Sequence, residues 1–338
     1  MMKTTFPFPY LTPKTLTCGK PVFLAPMAGI TDMAFRILMR EMLADIVVTE
    51  LVSAEGLLRD SERTWELART SERETPVGIQ IFGSSPEVLA RAAQKIELAG
   101  AHFVDLNLGC PVKKVVCQGA GADWLRRPSE LEAMLARVVQ AVRIPVSIKI
   151  RLGWDEQSQN ALEIVNRAAR AGVAWVAIHG RTRAQGYAGA ANWNALAEIA
   201  AESPLPIIGN GDILTADQAH KRLDACQGIM IGRGALRNPW IFQEIRSHAP
   251  QTKNLLEVIR RHAQLAHAVF PPTLACLKLK KFMSWYATGW PHVSHLRRKL
   301  FAASQWEECW TIMETYCLEA VEKDWALETT PFLLGGHG

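Results

Sequence analysis

Short runs rich in β-branched residues recur along the first two thirds of the chain, and longer stretches with apolar residues three and four positions apart separate them. Runs of the first kind are typical of buried strands, and stretches of the second kind are typical of amphipathic helices. The pattern predicts eight strands, at Val22–Pro26, Ile46–Glu50, Val77–Phe82, Phe103–Leu108, Val146–Ile150, Trp175–His179, Ile207–Asn210 and Ile229–Gly232. Helices are predicted between them, among others at Pro86–Ala99, Ser129–Val142, Asn160–Ala171 and Trp193–Ala201.

Eight strands that alternate with helices over about 220 residues predict an α/β fold, a parallel (β/α)8 TIM barrel over residues 21–250. The main competitor is a doubly wound parallel sheet. That fold binds dinucleotides through a G-x-G-x-x-G turn after its first strand, and the chain has no such turn there. We therefore favour the barrel.

The strand pattern stops near residue 245, and the remainder of the chain has a different organisation. Residues from Leu255 onwards are helical in pattern, and prolines at 271, 272 and 291 divide them into segments. This predicts a small C-terminal helical bundle at 251–320 and a tail at 321–338. Residues 1–20 are proline-rich without an apolar core, which is typical of an extended arm and not of a signal peptide.

Composition places the chain among ordinary globular proteins, with 49% hydrophobic and 21% charged residues. No run of 18 apolar residues is found, so no membrane segment is predicted. The seven cysteines are scattered and form no C-x-x-C pair. This favours reduced thiols in the cytoplasm over disulfides or a metal site. Separately, we expect the protein to be a monomer.

The net charge of +5 is concentrated in one part of the chain. Residues 251–300 contain nine lysines and arginines but a single acid, Glu257, so this window carries +8 and the rest of the chain −3. A basic segment on a slightly acidic body indicates a polyanionic partner, although a solvated helix face gives the same pattern. The candidates for contacts with RNA phosphates are Lys278, Lys280, Lys281, Arg297, Arg298 and Lys299. Trp306 and Trp310 lie four apart, which predicts a shared helix face in the bundle core.

The active site of a (β/α)8 barrel lies at the C-terminal ends of its strands, so the residues predicted there are the candidates for chemistry. The chain places small, polar and charged residues at these ends: Pro26, Met27 and Ala28, Gln80, Asn107 and Cys110, Lys149 and Arg151, His179 and Arg181, Asn210, Gly211 and Asp212, and Gly232 and Arg233.

The loops after the last two strands are typical of a phosphate site, because their glycines expose backbone N–H groups and Arg233 adds a charged fork. Ordinary tight turns are the alternative interpretation. Lys149 alternates with apolar residues and should point into the barrel mouth, where a buried ammonium needs an anionic partner. Either the pyrimidine edge of a reduced flavin or the carboxylate of Asp105 can be that partner.

Cys110 lies in a Gly-Cys-Pro elbow at the end of a strand, with Lys113 and Lys114 just behind it. Its thiol can pack, act as a nucleophile or donate a proton. No His or Asp neighbours it in sequence to make a thiolate, and a thiol with a pKa near about 8.5 is protonated at neutral pH. His179 is either a ligand to a phosphate or a substrate carbonyl, or a core histidine.

Taken in order, these motifs resemble the bacterial tRNA-dihydrouridine synthases, and most closely their B-type branch. The similarity covers residues 21 to 316 and is carried by A-P-M-A-G-I-T-D at 25–32, D-L-N-L-G-C-P at 105–111, K-I-R at 149–151, H-G-R-T at 179–182, N-G-D at 210–212 and I-G-R-G at 231–234. The resemblance implies an FMN-binding barrel and a helical tRNA-binding domain. It also implies the NADPH-dependent reduction of a D-loop uridine to dihydrouridine.

The resemblance implies a role for each matching residue. Cys110 would be the catalytic acid, and Lys149 would face the N1 side of the flavin ring. The ring would also contact Pro26, Met27, Ala28 and Gln80, and its phosphate would be held by Asn210, Gly211, Asp212, Gly232 and Arg233. The uracil would be surrounded by Asn107, Arg151, His179 and Arg181.

Two other functions are compatible with parts of the pattern. One is a flavin-dependent ene-reductase or dihydroorotate-type dehydrogenase that acts on a small molecule, against which the basic helical segment argues. The other is a noncatalytic RNA-binding protein on a barrel scaffold, which a flavin-free preparation would favour.

Overall fold

The computed structural model describes residues 19–247 and 254–322. The predicted arm and tail therefore lie outside the described residues, apart from 19–20 and 321–322. Within the described part, the strands are β1 (Val22–Leu24), β2 (Ile46–Val48), β3 (Val52–Ser53), β4 (Val77–Phe82), β5 (Phe103–Asn107), β6 (Val146–Arg151), β7 (Trp175–His179), β8 (Ile207–Asn210) and β9 (Gly228–Ile231).

Eight of these strands form a closed parallel barrel, which confirms the predicted (β/α)8 fold. Consecutive strands from β4 to β9 pair side by side, β9 pairs with β1, and the ring closes where β1 pairs with β2 and β2 with β4. The additional β3 spans two residues and pairs with the end of β4. Each of the eight barrel strands overlaps one of the runs predicted from the sequence.

Helices cover the outside of the barrel between the strands. They are α1 (Met33–Glu41), α2 (Ala54–Leu58), α3 (Glu62–Ala68), α4 (Pro86–Leu98), α5 (Lys113–Val116), α6 (Pro128–Ala141), α7 (Ala161–Arg170), α8 (Trp193–Glu202), α9 (Ala216–Leu223), α10 (Gly234–Arg237) and α11 (Ile241–Ser247). Two 3₁₀ turns, Glu72–Glu74 and Gly121–Arg126, complete the set. Local signals start these helices: Ser85 accepts from the N–H of Val88 and Pro86 occupies the first turn of α4.

Aromatic side chains fill the half of the barrel that lies towards the N-terminal ends of its strands. The ring centroid of Trp175 lies 5.0 Å from that of Phe103 and 6.5 Å from that of Phe23. A Cβ on Gly78 would lie only 2.1 Å from the Phe103 ring, so this strand position admits only glycine. Because this half is packed with side chains, open space inside the barrel is confined to the other end, where the strands terminate.

A helical bundle follows the barrel, as predicted, and within residues 254–322 it has four helices. It consists of α12 (Leu255–Val269), α13 (Pro272–Tyr286), α14 (Val293–Ala302) and α15 (Trp306–Glu322). The predicted proline breaks are confirmed, since Pro272 begins α13 and Pro291 precedes α14. Trp306 and Trp310 share one face of α15, with ring centroids 5.9 Å apart. The residue boundaries proposed for the two domains, 21–250 and 251–320, stay a prediction.

The bundle is joined to the barrel through α1. Phe35 of α1 stacks obliquely on Phe282 of α13 at 5.0 Å between ring centroids and lies 5.8 Å from His262 of α12. Lys278 of α13 forms a salt bridge of 3.0 Å with Asp32, the N-cap of α1. None of the helices in residues 19–247 or 254–322 is long and apolar enough to span a membrane.

Candidate active site

A cavity of about 610 Å³ opens at the C-terminal ends of the barrel strands. Its volume falls in the range of sites that hold drug-sized ligands or cofactors. Thirteen residues named from the sequence line it: Pro26, Met27, Ala28, Gln80, Asn107, Cys110, Lys149, Arg151, His179, Asn210, Gly211, Gly232 and Arg233. In the part of the chain that the structure describes, no group of three His, Cys, Asp or Glu side chains is arranged to hold a metal ion.

The loop after β1 forms one wall of the cavity and is held from below. The N–H of Met27 donates to the hydroxyl of Thr31 at 2.9 Å, and the N–H of Gly29 donates to the carboxylate of Glu50. Gly29 has a φ of +74°, which a side chain would strain. The small residues Pro26 and Ala28 are therefore fixed at the edge of the cavity, where a flat ring can approach the backbone.

The loops after β8 and β9 form the opposite wall. Gly211 has a φ of +129°, and a Cβ there would lie 2.7 Å from that of Ala191. A Cβ on Gly232 would meet no protein atom closer than 3.4 Å, so the missing side chain widens the cavity. The guanidinium of Arg233 lies beside this cradle and is about one fifth exposed. Open glycine backbone next to an arginine fork suits a phosphate group.

Cys110 stands at the end of β5 in a tightly supported elbow. The N–H of Ala122 donates to the carbonyl of Cys110 at 3.2 Å, and the Nε of Arg151 donates to the carbonyl of Gly109 at 3.0 Å. Gly121, with a φ of +61°, packs directly beneath, since a Cβ there would lie 3.0 Å from the Cys110 carbonyl oxygen. The elbow therefore fixes the direction in which the thiol enters the cavity.

Burial raises the pKa of the Cys110 thiol, and the N–H of Val112 and the cations Arg151 and Lys149 only partly oppose this effect. The thiol is consequently protonated at neutral pH, which suits a proton donor and not a resting nucleophile. Burial, followed by the neighbouring cations, also lowers the pKa of His179 well below its usual value, so its imidazole is neutral.

Lys149 projects from β6 into the cavity, as its alternation with apolar residues predicts. The pKa of its ammonium is lowered to about 8, mainly by burial and next by the nearby Arg151, while Asp105 and Cys110 partly oppose this effect. Within residues 19–247 and 254–322 its side chain forms no hydrogen bond and no ion pair. A buried cation without an acid partner favours an anionic ligand in the cavity.

The side chains of Arg181 and Asp212 form a salt bridge beside the cavity. Both side chains lie outside the cavity lining and bind each other, with Nη2–Oδ2 at 2.7 Å and Nη1–Oδ1 at 2.9 Å. Arg181 also donates to the carbonyls of Ala188 at 3.1 Å and of Gly189 at 2.6 Å, so its guanidinium is fully engaged. The pair links the loops after β7 and β8, Asp212 also lies 3.7 Å from Arg233, and the predicted roles of Arg181 at the uracil and of Asp212 at the phosphate stay predictions.

The structure corrects two of the predicted RNA contacts. Lys280 is only 8% exposed, and its ammonium donates to the carbonyl of Ala303 inside the bundle. Lys278 is engaged with Asp32, so it joins the bundle to the barrel. Lys281 is partly exposed, and the three predicted cations of α14 are exposed: Arg297, Arg298 and Lys299. These three are therefore the better placed of the predicted cations to meet a phosphate backbone.

Three side chains that the sequence did not assign a role also line the cavity. Tyr187 lies over the mouth, with its ring centroid 4.4 Å from the guanidinium carbon of Arg233. Lys113 and Lys114 occupy the first turn of α5 and are exposed at the rim. Tyr187 lies in an irregular loop without periodicity, so only its aromatic character could have indicated it.

Comparison with known proteins finds relatives over most of the chain. The sequence profile of the family "Dihydrouridine synthase (Dus)" matches residues 23–323. A probable tRNA-dihydrouridine synthase 1 of Synechocystis sp. is 35% identical over 307 residues, which cover 87% of this chain and 85% of that protein. The tRNA-dihydrouridine synthase B of Pseudomonas putida is 35% identical over 297 residues, covering 85% of this chain and 88% of that protein.

Among solved structures, histamine dehydrogenase from Rhizobium sp. 4-9 superposes with a TM-score of 0.51 at 12% identity. The match covers 72% of this chain and 48% of that chain, so the alignment spans about half the length of that protein. This likeness concerns the barrel fold alone. The profile match and the relatives over most of the length show that the chain belongs to the dihydrouridine synthase family.

Proposed function

We propose that this protein reduces a uridine in the D-loop of tRNA to 5,6-dihydrouridine, with FMN as bound cofactor and NADPH as the reductant. The names of its relatives support the reaction and the tRNA substrate. The observation that carries the proposal is a protonated Cys110 thiol and an unpaired Lys149 ammonium in one cavity large enough for a flavin and a base.

The residues present fit FMN. The glycine backbone at 211 and 232 and the fork of Arg233 would hold its phosphate, and Lys149 would bind the polar N1–C2 edge of its ring. Pro26 and Ala28 would lie along the ring. When bound, reduced FMN supplies a hydride from N5 to C6 of the uracil, whose C5=C6 bond is conjugated with the C4 carbonyl.

The protein supplies the second hydrogen. Negative charge develops at C5 and O4 as the hydride arrives, and the Cys110 thiol donates its proton to C5. The thiolate that remains lies near the cations Lys149 and Arg151 until solvent protonates it again. Nε2 of the neutral His179 imidazole accepts from Nη1 of Arg181 at 3.2 Å, so the N–H at Nδ1 and the second N–H of the Asn107 amide are the donors that remain for the uracil carbonyls.

A uridine in folded RNA must leave its stack to reach this cavity, at a cost of a few kcal/mol. Contacts between protein cations and phosphates can offset that cost. Arg297 and Arg298 of α14 are exposed for such contacts, and Lys113 and Lys114 lie at the rim beside the entering nucleotide.

The proposal is tested on the flavin itself. Heat release and chromatography identify the cofactor, and NADPH then reduces it under anaerobic conditions. Addition of tRNA transcribed without modifications should reoxidise the flavin, whereas free uridine and orotate should not. Reoxidation by a free small molecule and not by tRNA would favour the ene-reductase alternative, and a protein that binds no flavin would favour a noncatalytic role.

A further inference from the structure

A continuous chain of side-chain hydrogen bonds runs beneath the floor of the cavity to the backbone of Cys110. The hydroxyl of Ser147 donates to Oδ1 of Asp105 at 2.6 Å, and Nε2 of Gln80 donates to Oδ2 of Asp105 at 2.6 Å. Oε1 of Gln80 accepts from Nδ2 of Asn107 at 2.8 Å. Oδ1 of Asn107 then accepts from the N–H of Cys110 at 2.9 Å.

The N–H of Cys110 determines the direction of each hydrogen bond from Cys110 to Asp105. A backbone N–H only donates, so the amide of Asn107 must present its oxygen to Cys110 and its NH2 group to Gln80. Gln80 must then present its oxygen to Asn107 and its own NH2 group to Asp105. The last position therefore requires an acceptor, and a carboxylate oxygen provides it. We propose that Asp105 is a positioning residue whose acceptor oxygen orients both amides and thereby holds the Cys110 elbow.

Burial and strand register support this role. Asp105, Gln80 and Ser147 are each at most 2% exposed, so an unmade hydrogen bond among them cannot be replaced by bulk water. Gln80 of β4 and Ser147 of β6 are the direct register partners of Asp105 of β5, which places the three at one level of the barrel. Lys149 instead lies opposite Asn107, one level higher.

These contacts revise two interpretations of the sequence. Asp105 was the alternative ion-pair partner of Lys149, but both of its oxygens are taken by Ser147 and Gln80. Gln80 was assigned to the flavin ring, but its oxygen and one N–H are engaged within the protein, which leaves one N–H for a ligand.

Two substitutions of Asp105 distinguish the effect of its acceptor oxygen from the effect of its negative charge. Leucine at 105 removes the acceptor, so the amides of Gln80 and Asn107 lose their fixed orientation. Asparagine at 105 keeps an oxygen for Gln80, while its NH2 group faces Ser147, whose hydroxyl can turn to the carbonyl of Val104 at 3.4 Å. Asp105→Asn should therefore preserve the chain, and Asp105→Leu should break it.

The test compares wild type, Asp105→Leu and Asp105→Asn in two half-reactions, and this part rests on the proposed function. Flavin content and the rate of flavin reduction by NADPH should match wild type in both variants. Reoxidation by tRNA should slow at least about tenfold in Asp105→Leu, because a misplacement of about 1 Å can cost about 100-fold. In Asp105→Asn it should stay within about threefold of wild type, and the KM for tRNA should be unchanged in both.

A second readout does not depend on the substrate. Iodoacetamide labelling, mapped by peptide mass spectrometry, reports the accessibility of the Cys110 thiol. Asp105→Leu should label faster at Cys110 and Asp105→Asn should not, whereas the exposed Cys117 should label equally in all three proteins. Wild type that fails to reduce tRNA would refute the proposed function, while this labelling contrast would still decide the role of Asp105.

Three results would overturn the inference. Unchanged reoxidation and labelling in Asp105→Leu would mean that the chain does not position Cys110. Equal losses in Asp105→Leu and Asp105→Asn would mean that the charge of Asp105 acts, and not its acceptor oxygen. Should Asp105→Leu not fold, Gln80→Met breaks the same link, and normal labelling of Cys110 in that variant would equally refute the role.

Discussion

The thiol of Cys110 combines a fixed direction with a pKa that burial raises. As the proton donor, it acts only in the step that follows hydride transfer. We expect Cys110→Ala to retain its flavin, its affinity for tRNA and its rate of reduction by NADPH, but to lose turnover by about 100-fold or more. Anaerobic stopped-flow measurement of both half-reactions checks this.

Cys117→Ala is the matched control, because this cysteine is exposed at the end of α5 and lies outside the cavity lining. It should reduce uridine at the wild-type rate. Near-normal formation of dihydrouridine by Cys110→Ala would remove Cys110 from the role of acid.

The lowered pKa of Lys149 predicts that flavin affinity depends on pH. In the ligand-free protein the pKa of the Lys149 ammonium is about 8, so the positive charge is lost as the pH rises through that value. Flavin affinity that depends on this charge should be constant below pH 7 and then fall by up to about tenfold per pH unit above 8. Titration of flavin into the apoprotein between pH 6 and about 9.5 measures the effect.

Lys149→Met is the comparison for this titration. Its flavin affinity should be lower at neutral pH and should lack the decline above pH 8, because methionine does not titrate. The same decline in wild type and Lys149→Met would assign the pH dependence to another group.

Residue-level prediction succeeded where a strand fixes the direction of a side chain. Lys149 and Cys110 follow from alternation and from the end of a strand, so the sequence placed both in the cavity. Arg181 also follows a strand, but its partner Asp212 lies 31 residues away, and no local pattern reveals that salt bridge. The position of Tyr187 depends on a loop whose path is set by distant contacts.

At the scale of elements, α13 and α14 differ in what their cations do. Lys280 of α13 is enclosed in the bundle, whereas Arg297 and Arg298 of α14 are exposed. Replacing both arginines by alanine should weaken tRNA binding and lower the slope of log K against log salt by about 1.5, since each lost phosphate contact removes about 0.7 to 0.9. Binding measured across a salt series tests this.

Arg143→Ala provides the control. Arg143 is also exposed, but it precedes β6 and so lies at the N-terminal end of a barrel strand, whereas the cavity opens at the C-terminal ends. This substitution should leave both affinity and slope unchanged. An unchanged slope in the double α14 variant would place the RNA path elsewhere on the molecule.

The elements themselves were largely predictable because their signals are local. Strand runs and proline breaks each act within a few residues, and the eight barrel strands and the C-terminal helical bundle appear where those signals predict. The two-residue β3 and the 3₁₀ turns carry no periodicity, since they are shorter than one repeat of either pattern.

At the scale of the whole molecule, a buried ion pair fixes the helix on which the bundle rests. Arg36 of α1 and Glu74 are at most 1% exposed and bind each other at 2.6 Å. Removing one partner leaves the other charge buried and unpaired, so Glu74→Ala should lower the free energy of unfolding by about 3 to 5 kcal/mol. Denaturant unfolding measures this value.

The exposed pair formed by Glu55 and Arg59 serves as the control, because its atoms are 3.8 Å apart and both side chains are more than half exposed. Glu55→Ala should change the stability by less than about 0.5 kcal/mol. Similar losses in the two variants would show that burial does not govern the Arg36–Glu74 contribution.

The most direct measurement is the mass of each uridine in a tRNA transcript after incubation with the purified protein and NADPH. We predict that a uridine of the D-loop gains two hydrogens with the wild-type protein and gains none with Cys110→Ala. A protein that holds flavin, accepts electrons from NADPH and still leaves every uridine of its cognate tRNAs unchanged would contradict the account.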